Sequence, residues 1–105
     1  MEGLARAIGF EWDEWNADKI WEKHQVSHAE CEQVLFSEPS IVAEDAEHSK
    51  AEPRYYVLGV TEQGRKLFLV FTLRRTLIRV ITARDMSRKE RRIYRNVEEE
   101  GGTQV

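Results

Sequence analysis

Two rhythms of apolar and polar positions organise this chain. Ile8-Gly9-Phe10-Glu11-Trp12 alternates with a period of two, which predicts a short strand with Phe10 and Trp12 on one side. From Asn16 to His24 the residues are good helix formers, acidic early and basic late. They predict a helix over 16–24 with Asn16 as its N-cap and Ile20 and His24 on one face. Val26 breaks that helix. Ser27-His28-Ala29-Glu30 is an S-x-x-E capping box opening a second helix over 27–36, with Cys31, Val34 and Leu35 as its apolar stripe. Glu38-Pro39 closes it, because the residue before proline avoids helical angles.

The period of two returns beyond Pro39 and predicts strands near 40–44, 54–60, 66–73 and 77–84. An acidic loop carrying His48-Ser49 separates the first two, Thr61 to Gly64 forms a turn, and Arg74-Arg75-Thr76 is a tight connection. Short turns make the last three strands an antiparallel meander. The strand at 66–73 is apolar on both faces and belongs in the centre. Ser87 to Glu90 repeats the capping box and opens a helix over 87–97, docking through Ile93, Tyr94 and Val97. The expected class is α+β. A small antiparallel sheet is flanked by two N-terminal helices and one C-terminal helix, in a single domain over 1–97 with a flexible acidic and glycine-containing tail over 98–105.

Composition narrows the function classes. At 105 residues there is room for one core, and 41% apolar residues make a folded rather than disordered chain. No apolar run approaches the roughly 20 residues of a membrane helix. The opening Met-Glu-Gly-Leu-Ala-Arg lacks the basic-then-apolar order of a secretory signal, and the expectation is a cytoplasmic protein without membrane contact. The lone cysteine, Cys31, leaves no internal disulfide and no multi-cysteine zinc site. His24, His28 and His48 are too scattered for a metal site, and phosphate-loop and dinucleotide motifs are absent, so neither metal nor cofactor is expected.

Charge changes the picture more. The net −3 hides a segment over 1–64 with 5 basic and 14 acidic residues and one over 65–95 with 11 basic and 2 acidic. Nine of those eleven cations are arginine, the better fork for phosphate oxygens. Charge alone leaves open a polyanion, an acidic partner, or a solvated face paired to the acidic half. Arg79 is the oddest residue, set between apolar neighbours in Leu77-Ile78-Arg79-Val80-Ile81. It either snorkels from a half-exposed sheet or is held rigidly toward a phosphate. Arg84 follows at an odd spacing and shares its face only if a bulge or the strand end turns it. Metal-free RNA cleavage needs a base for the ribose 2′-hydroxyl, an acid for the leaving 5′-oxygen and cations for the phosphorane. Glu52 or His24, with Lys23, Arg54, Arg65, Arg79 and Arg84, would supply them.

Phe10-Glu11-Trp12-Asp13, Lys23-His24-x-Val26-Ser27, His48-Ser49, Glu52-x-Arg54-Tyr55, Gly64-Arg65, Ile78-Arg79-Val80-Ile81-Thr82-Ala83-Arg84 and Arg88-x-Glu90-Arg91-x-x-Tyr94 together resemble the BrnT-type toxins, over about residues 10 to 95. The resemblance implies a RelE-like ribonuclease toxin of a type II toxin–antitoxin pair that cleaves RNA and halts translation. Its partner would be a ribbon-helix-helix antitoxin, which alone contacts DNA. The functional set carried over is Lys23, His24, Glu52, Arg65 and Arg79, with Arg54, Arg84, Arg88 and Arg91 as RNA contacts. Asn16, Ile20 and Gln25 depart from the family's usual lysine, asparagine and glycine. A non-catalytic binding module of the same fold is the competing reading. A co-repressor acting through an antitoxin is a third. Geometry separates enzyme from binder, because an enzyme needs Glu52 or His24 within one phosphate's reach of Arg79.

Overall fold

The computed structural model describes residues 9–48 and 52–103. Ile8, Ser49 and the final Gln104-Val105 of the sequence expectations lie outside them. In chain order the elements are β1 (Gly9–Phe10), α1 (Glu14–His24), α2 (His28–Leu35), β2 (Ile41–Glu44), a 3-10 turn (Ala46–His48), β3 (Arg54–Val60), β4 (Lys66–Arg74), β5 (Leu77–Asp85) and α3 (Arg88–Thr103). The class is α+β, with three helices on one five-stranded sheet of order β1-β5-β4-β3-β2. Strands β3 to β5 form the expected antiparallel meander with β4 in the centre of the sheet, and β2 pairs antiparallel to β3. The sheet is nonetheless mixed, because β1 lies parallel to β5 at the edge. Nearly seventy residues intervene between these two strands, so no short turn constrains their direction.

Helices α1 and α2 cover one face. Ile20, Val26, Cys31 and Val34 pack on Val57, Leu67, Leu69, Phe71, Ile78, Val80 and Ala83, and the sequence-predicted Phe10 and Trp12 join that core together. Gly59 permits the closest contact. A Cβ there would stand 2.5 Å from Ser37 Oγ and 2.7 Å from the Val34 carbonyl, so the end of α2 rests directly on β3. On the other face α3 covers only one end, where Tyr94 and Met86 pack with Leu58, Phe68 and Val60. Tyr94 is fully buried and its hydroxyl donates to the Pro39 carbonyl at 2.6 Å.

Three local expectations are corrected. Asp13, not Asn16, caps α1; its carboxylate accepts from the Asn16 amide at 2.7 Å. Asn16 instead donates its side-chain amide to the Val80 carbonyl at 2.6 Å, pinning α1 to β5. Ile93 is exposed, since one residue's turn of the helix carries it about 100° away from buried Tyr94. Helix α3 also continues to Thr103, past the expected end at 97. Both capping boxes form as predicted: Ser27 with Glu30, and Ser87 with Glu90.

Candidate functional site

A single extra residue in β5 decides which side chains share the open sheet face. Val70 pairs with Thr82 and Phe71 with Val80, leaving Ile81 as a bulge. Alternation therefore restarts at Thr82. Arg79 and Arg84, at an odd spacing, come to lie on the same face, opposite the core residues Ile78, Val80 and Ala83. Arg54 pairs with Thr72, and Thr72 with Arg79, so these three form one cross-strand row. With strands about 4.8 Å apart, the backbones of Arg54 and Arg79 stand about 10 Å apart on either side of a small hydroxyl residue. Thr72 is buried and donates its hydroxyl to the Pro53 carbonyl, fixing the loop that carries Glu52. Among the described residues no helix covers this end of the face.

Carboxylates organise the row. Arg79 donates to Glu11 at 3.0 Å and to Asp13 at 2.5 Å. Arg74 stands 3.6 Å from the same Glu11 oxygen and donates to Glu52 at 3.3 Å. Glu52 and Arg79 thus belong to one chain of ion pairs, Glu52–Arg74–Glu11–Arg79–Asp13. Hydrogen bonding to Asp13 raises the pKa of Arg79 further, so this guanidinium is a permanent cation. The Asn16 amide, then Arg79, hold the Asp13 carboxyl below its ordinary value. Farther along the face Arg84 lies 4.2 Å above the Phe68 ring and makes a two-pronged pair with Glu90 at 2.8 and 3.0 Å. Tyr56, in the row between, has its pKa raised by its bond to Asp45 and stays a neutral phenol.

The remaining sequence-predicted residues lie elsewhere. Lys23 and His24 end α1, whose C-cap Gln25 adopts φ 52°, the left-handed position that favours glycine. Glutamine serves because its side-chain amide bonds the Glu22 carbonyl at 3.0 Å, capping the helix end it terminates. Arg65 is a clamp. It donates to Asp85 at 2.8 Å, to Glu30 at 3.2 Å, and to the carbonyls of Gln25 and His24 at 2.7 and 3.2 Å. Asp85 stands opposite core residue Leu67, on the helix-covered face, so Arg65 is not in the Arg54–Arg79 row. Arg65, then Arg91 and His24, depress the Asp85 carboxyl. A cavity of about 400 Å³ opens here, lined by Arg65, Lys66, Asp85, Arg91 and Arg95. Arg88 and Arg91 lie exposed on the first turn of α3. Cys31 is fully buried, and burial pushes its thiol up to about 12, which removes it as a nucleophile.

Sequence reasoning missed Glu11, Asp13 and Arg74. The signal was present: Phe10 and Trp12 point into the core, so Glu11 must face the other side, beside Arg79. Arg74 was read as part of a turn, whereas it is the last residue of β4.

The family model for the BrnT ribonuclease toxins of type II toxin–antitoxin systems matches residues 12–90. The chain belongs to this family. A BrnT toxin of a type II system has RNA as its substrate and an antitoxin as its partner. The match takes in Asp13, both N-terminal helices, the row Arg54–Thr72–Arg79 and the bulge, and ends at Glu90, the third residue of α3. Glu11 and Arg91 fall outside it. No curated protein matches the chain. Among the described residues of this BrnT chain no helix is long and apolar enough to cross a membrane.

Proposed function

We propose that this chain is a metal-independent endoribonuclease whose reaction takes place on the open sheet face, at the Arg54–Thr72–Arg79 row. The observation that carries the proposal is the Ile81 bulge. It puts Arg79 and Arg84 on the face of Arg54, with Glu52 in the ion-pair chain of Arg79. In this reading Arg54 and Arg79 straddle one phosphate and stabilise the charge that grows on its non-bridging oxygens. Glu52 accepts the proton of the ribose 2′-hydroxyl. The 2′-oxygen attacks phosphorus, the bond to the 5′-oxygen breaks, and that oxygen takes a proton from solvent. The products are a 2′,3′-cyclic phosphate and a 5′-hydroxyl. Arg84, Arg88 and Arg91 continue the cationic track for flanking phosphates. Lys23 and His24, at the end of α1, serve RNA contact, and Arg65 holds that corner together through the His24 carbonyl.

Cleavage of cellular RNA on this face would halt translation in the cytoplasm. The partner is a ribbon-helix-helix antitoxin, and DNA is reached only through it. The test is incubation of antitoxin-free protein with a short RNA in excess EDTA, followed by mass analysis of the ends. Cyclic phosphate and 5′-hydroxyl ends support the proposal. RNA bound but intact would replace the enzyme with a binding module using the same arginines.

A further inference from the structure

A groove beside α2 is lined by none of the cations of the proposed RNA surface. It has a volume of about 540 Å³ and runs between the end of α2 and the turn after β3. Glu32, Glu38 and Glu62 rim it, Phe36 and Val60 supply apolar floor, and no Lys, Arg or His lines it. Phe36 is 76% exposed, and among the described residues Phe10 makes an edge contact with its ring at 6.1 Å between ring centres. Leaving an aromatic ring this open in a preformed concavity forgoes stabilisation that a partner would recover.

The walls are already fixed. Trp12 donates its indole N–H to Glu32 at 2.9 Å, and the Gln33 side chain accepts from the Glu62 amide at 3.0 Å. The Ser37 hydroxyl donates to the Val34 carbonyl at 2.8 Å and accepts from the Val60 amide at 3.3 Å. Binding here requires little ordering of the toxin, which favours affinity. The surrounding charge selects the occupant. Glu32, Glu38 and Glu62 leave the groove with acidic side chains and no basic one, so a polyanion is repelled from it while a cationic segment is drawn to it.

We propose that this groove seats a basic, amphipathic segment of the antitoxin. An apolar side chain of that segment covers Phe36, and lysines or arginines face Glu38 and Glu62. The proposal rests on the family's antitoxin partner and adds where and by what chemistry it docks. It separates two surfaces by charge: RNA on the arginine face, antitoxin anchor on the glutamate groove. Helix-in-groove recognition of this kind needs only two or three apolar anchors with charge at the rim.

The test uses the full chain and the protein encoded by the neighbouring gene, with affinity and association rate measured across a salt series. Phe36→Ala should weaken binding by about tenfold or more. The double variant Glu38→Lys with Glu62→Lys should slow association and abolish the acceleration at low salt. Both should melt like the wild type and cleave RNA at the wild-type rate when free of antitoxin. Wild-type affinity in both variants would overturn the groove while leaving the antitoxin reading intact. No binding by the wild-type chain would overturn the antitoxin reading and the groove with it. Loss of binding in Arg88→Ala with Arg91→Ala, but not in the groove variants, would move the antitoxin to the basic face and overturn the proposal.

Discussion

Asp13 accepts two hydrogen bonds from distant parts of the fold: the Asn16 amide at 2.7 Å, in the first turn of α1, and the Arg79 guanidinium at 2.5 Å, from β5. One carboxylate therefore starts the helix and aims the arginine. It follows that helix capping and the geometry of the sheet face respond together to any change at this position.

Acid should expose that coupling. Asp13, Asp85 and Glu90 all titrate below their ordinary values of 3.8, 3.8 and 4.5. The causes are the Asn16 amide then Arg79, Arg65, and Arg84 respectively. The unfolded chain takes up these protons at higher pH than the folded one. Their stabilisation is thus complete above the ordinary values and is lost as pH falls through the lower folded-state values. Melting temperature, followed from neutral pH to about pH 2.5, should drop steeply below about pH 4. Asp13→Asn, which keeps a capping oxygen but no charge, should flatten part of that drop. An unchanged slope would show that the Asp13–Arg79 pair contributes nothing to stability.

Arg65 separates a structural arginine from the one proposed to act on RNA. Its guanidinium joins the end of α1, the start of α2 and the end of β5. Arg65→Ala should cost about 1–2 kcal/mol after solvent screening of a partly exposed network. That corresponds to a melting temperature lower by roughly 5–15 °C for a domain of this size. At a temperature where the variant remains folded, its RNA cleavage should fall far less than that of an Arg79 variant. Calorimetry and a cleavage assay on the same sample check both halves.

The contact between α2 and β3 makes Gly59 intolerant. Its added methyl would meet the Val34 carbonyl at 2.7 Å, and backbone cannot swing aside as a side chain can. Gly59→Ala should destabilise by about 1–3 kcal/mol, the range for overpacking. Urea titration should show a lower midpoint with an unchanged slope. A midpoint equal to wild type would mean that α2 shifts freely on the sheet.

Much of the fold was legible in the residues because local and global signals agreed. The two S-x-x-E boxes, the period of two in β3 to β5 and the doubly apolar β4 each had a direct physical reading. The N-cap was misplaced because Asp13 and Asn16 are both good capping residues, and only the observed turn shows which oxygen accepts. Ile93 was misplaced because a polar helix with few apolar positions does not say which one faces inward. The site was only half legible. Arg79 stood out by its apolar neighbours, but the bulge that brings Arg84 to the same face leaves no mark in composition. The Glu11 and Asp13 partners lie more than sixty residues away in sequence, and only the parallel placement of β1 against β5 brings them to Arg79.

The central claim is that Arg79, on the open sheet face, stabilises the transition state of RNA cleavage. The direct measurement is single-turnover cleavage of a short RNA by antitoxin-free wild type, Arg79→Ala and Arg79→Lys, with melts confirming that each is folded. Arg79→Ala should be slower by about 10²-fold or more, the scale for one preorganised charge-stabilising donor. Arg79→Lys should recover only part, because an ammonium cannot hold two oxygens in one plane. Cleavage by folded Arg79→Ala at the wild-type rate would contradict the account.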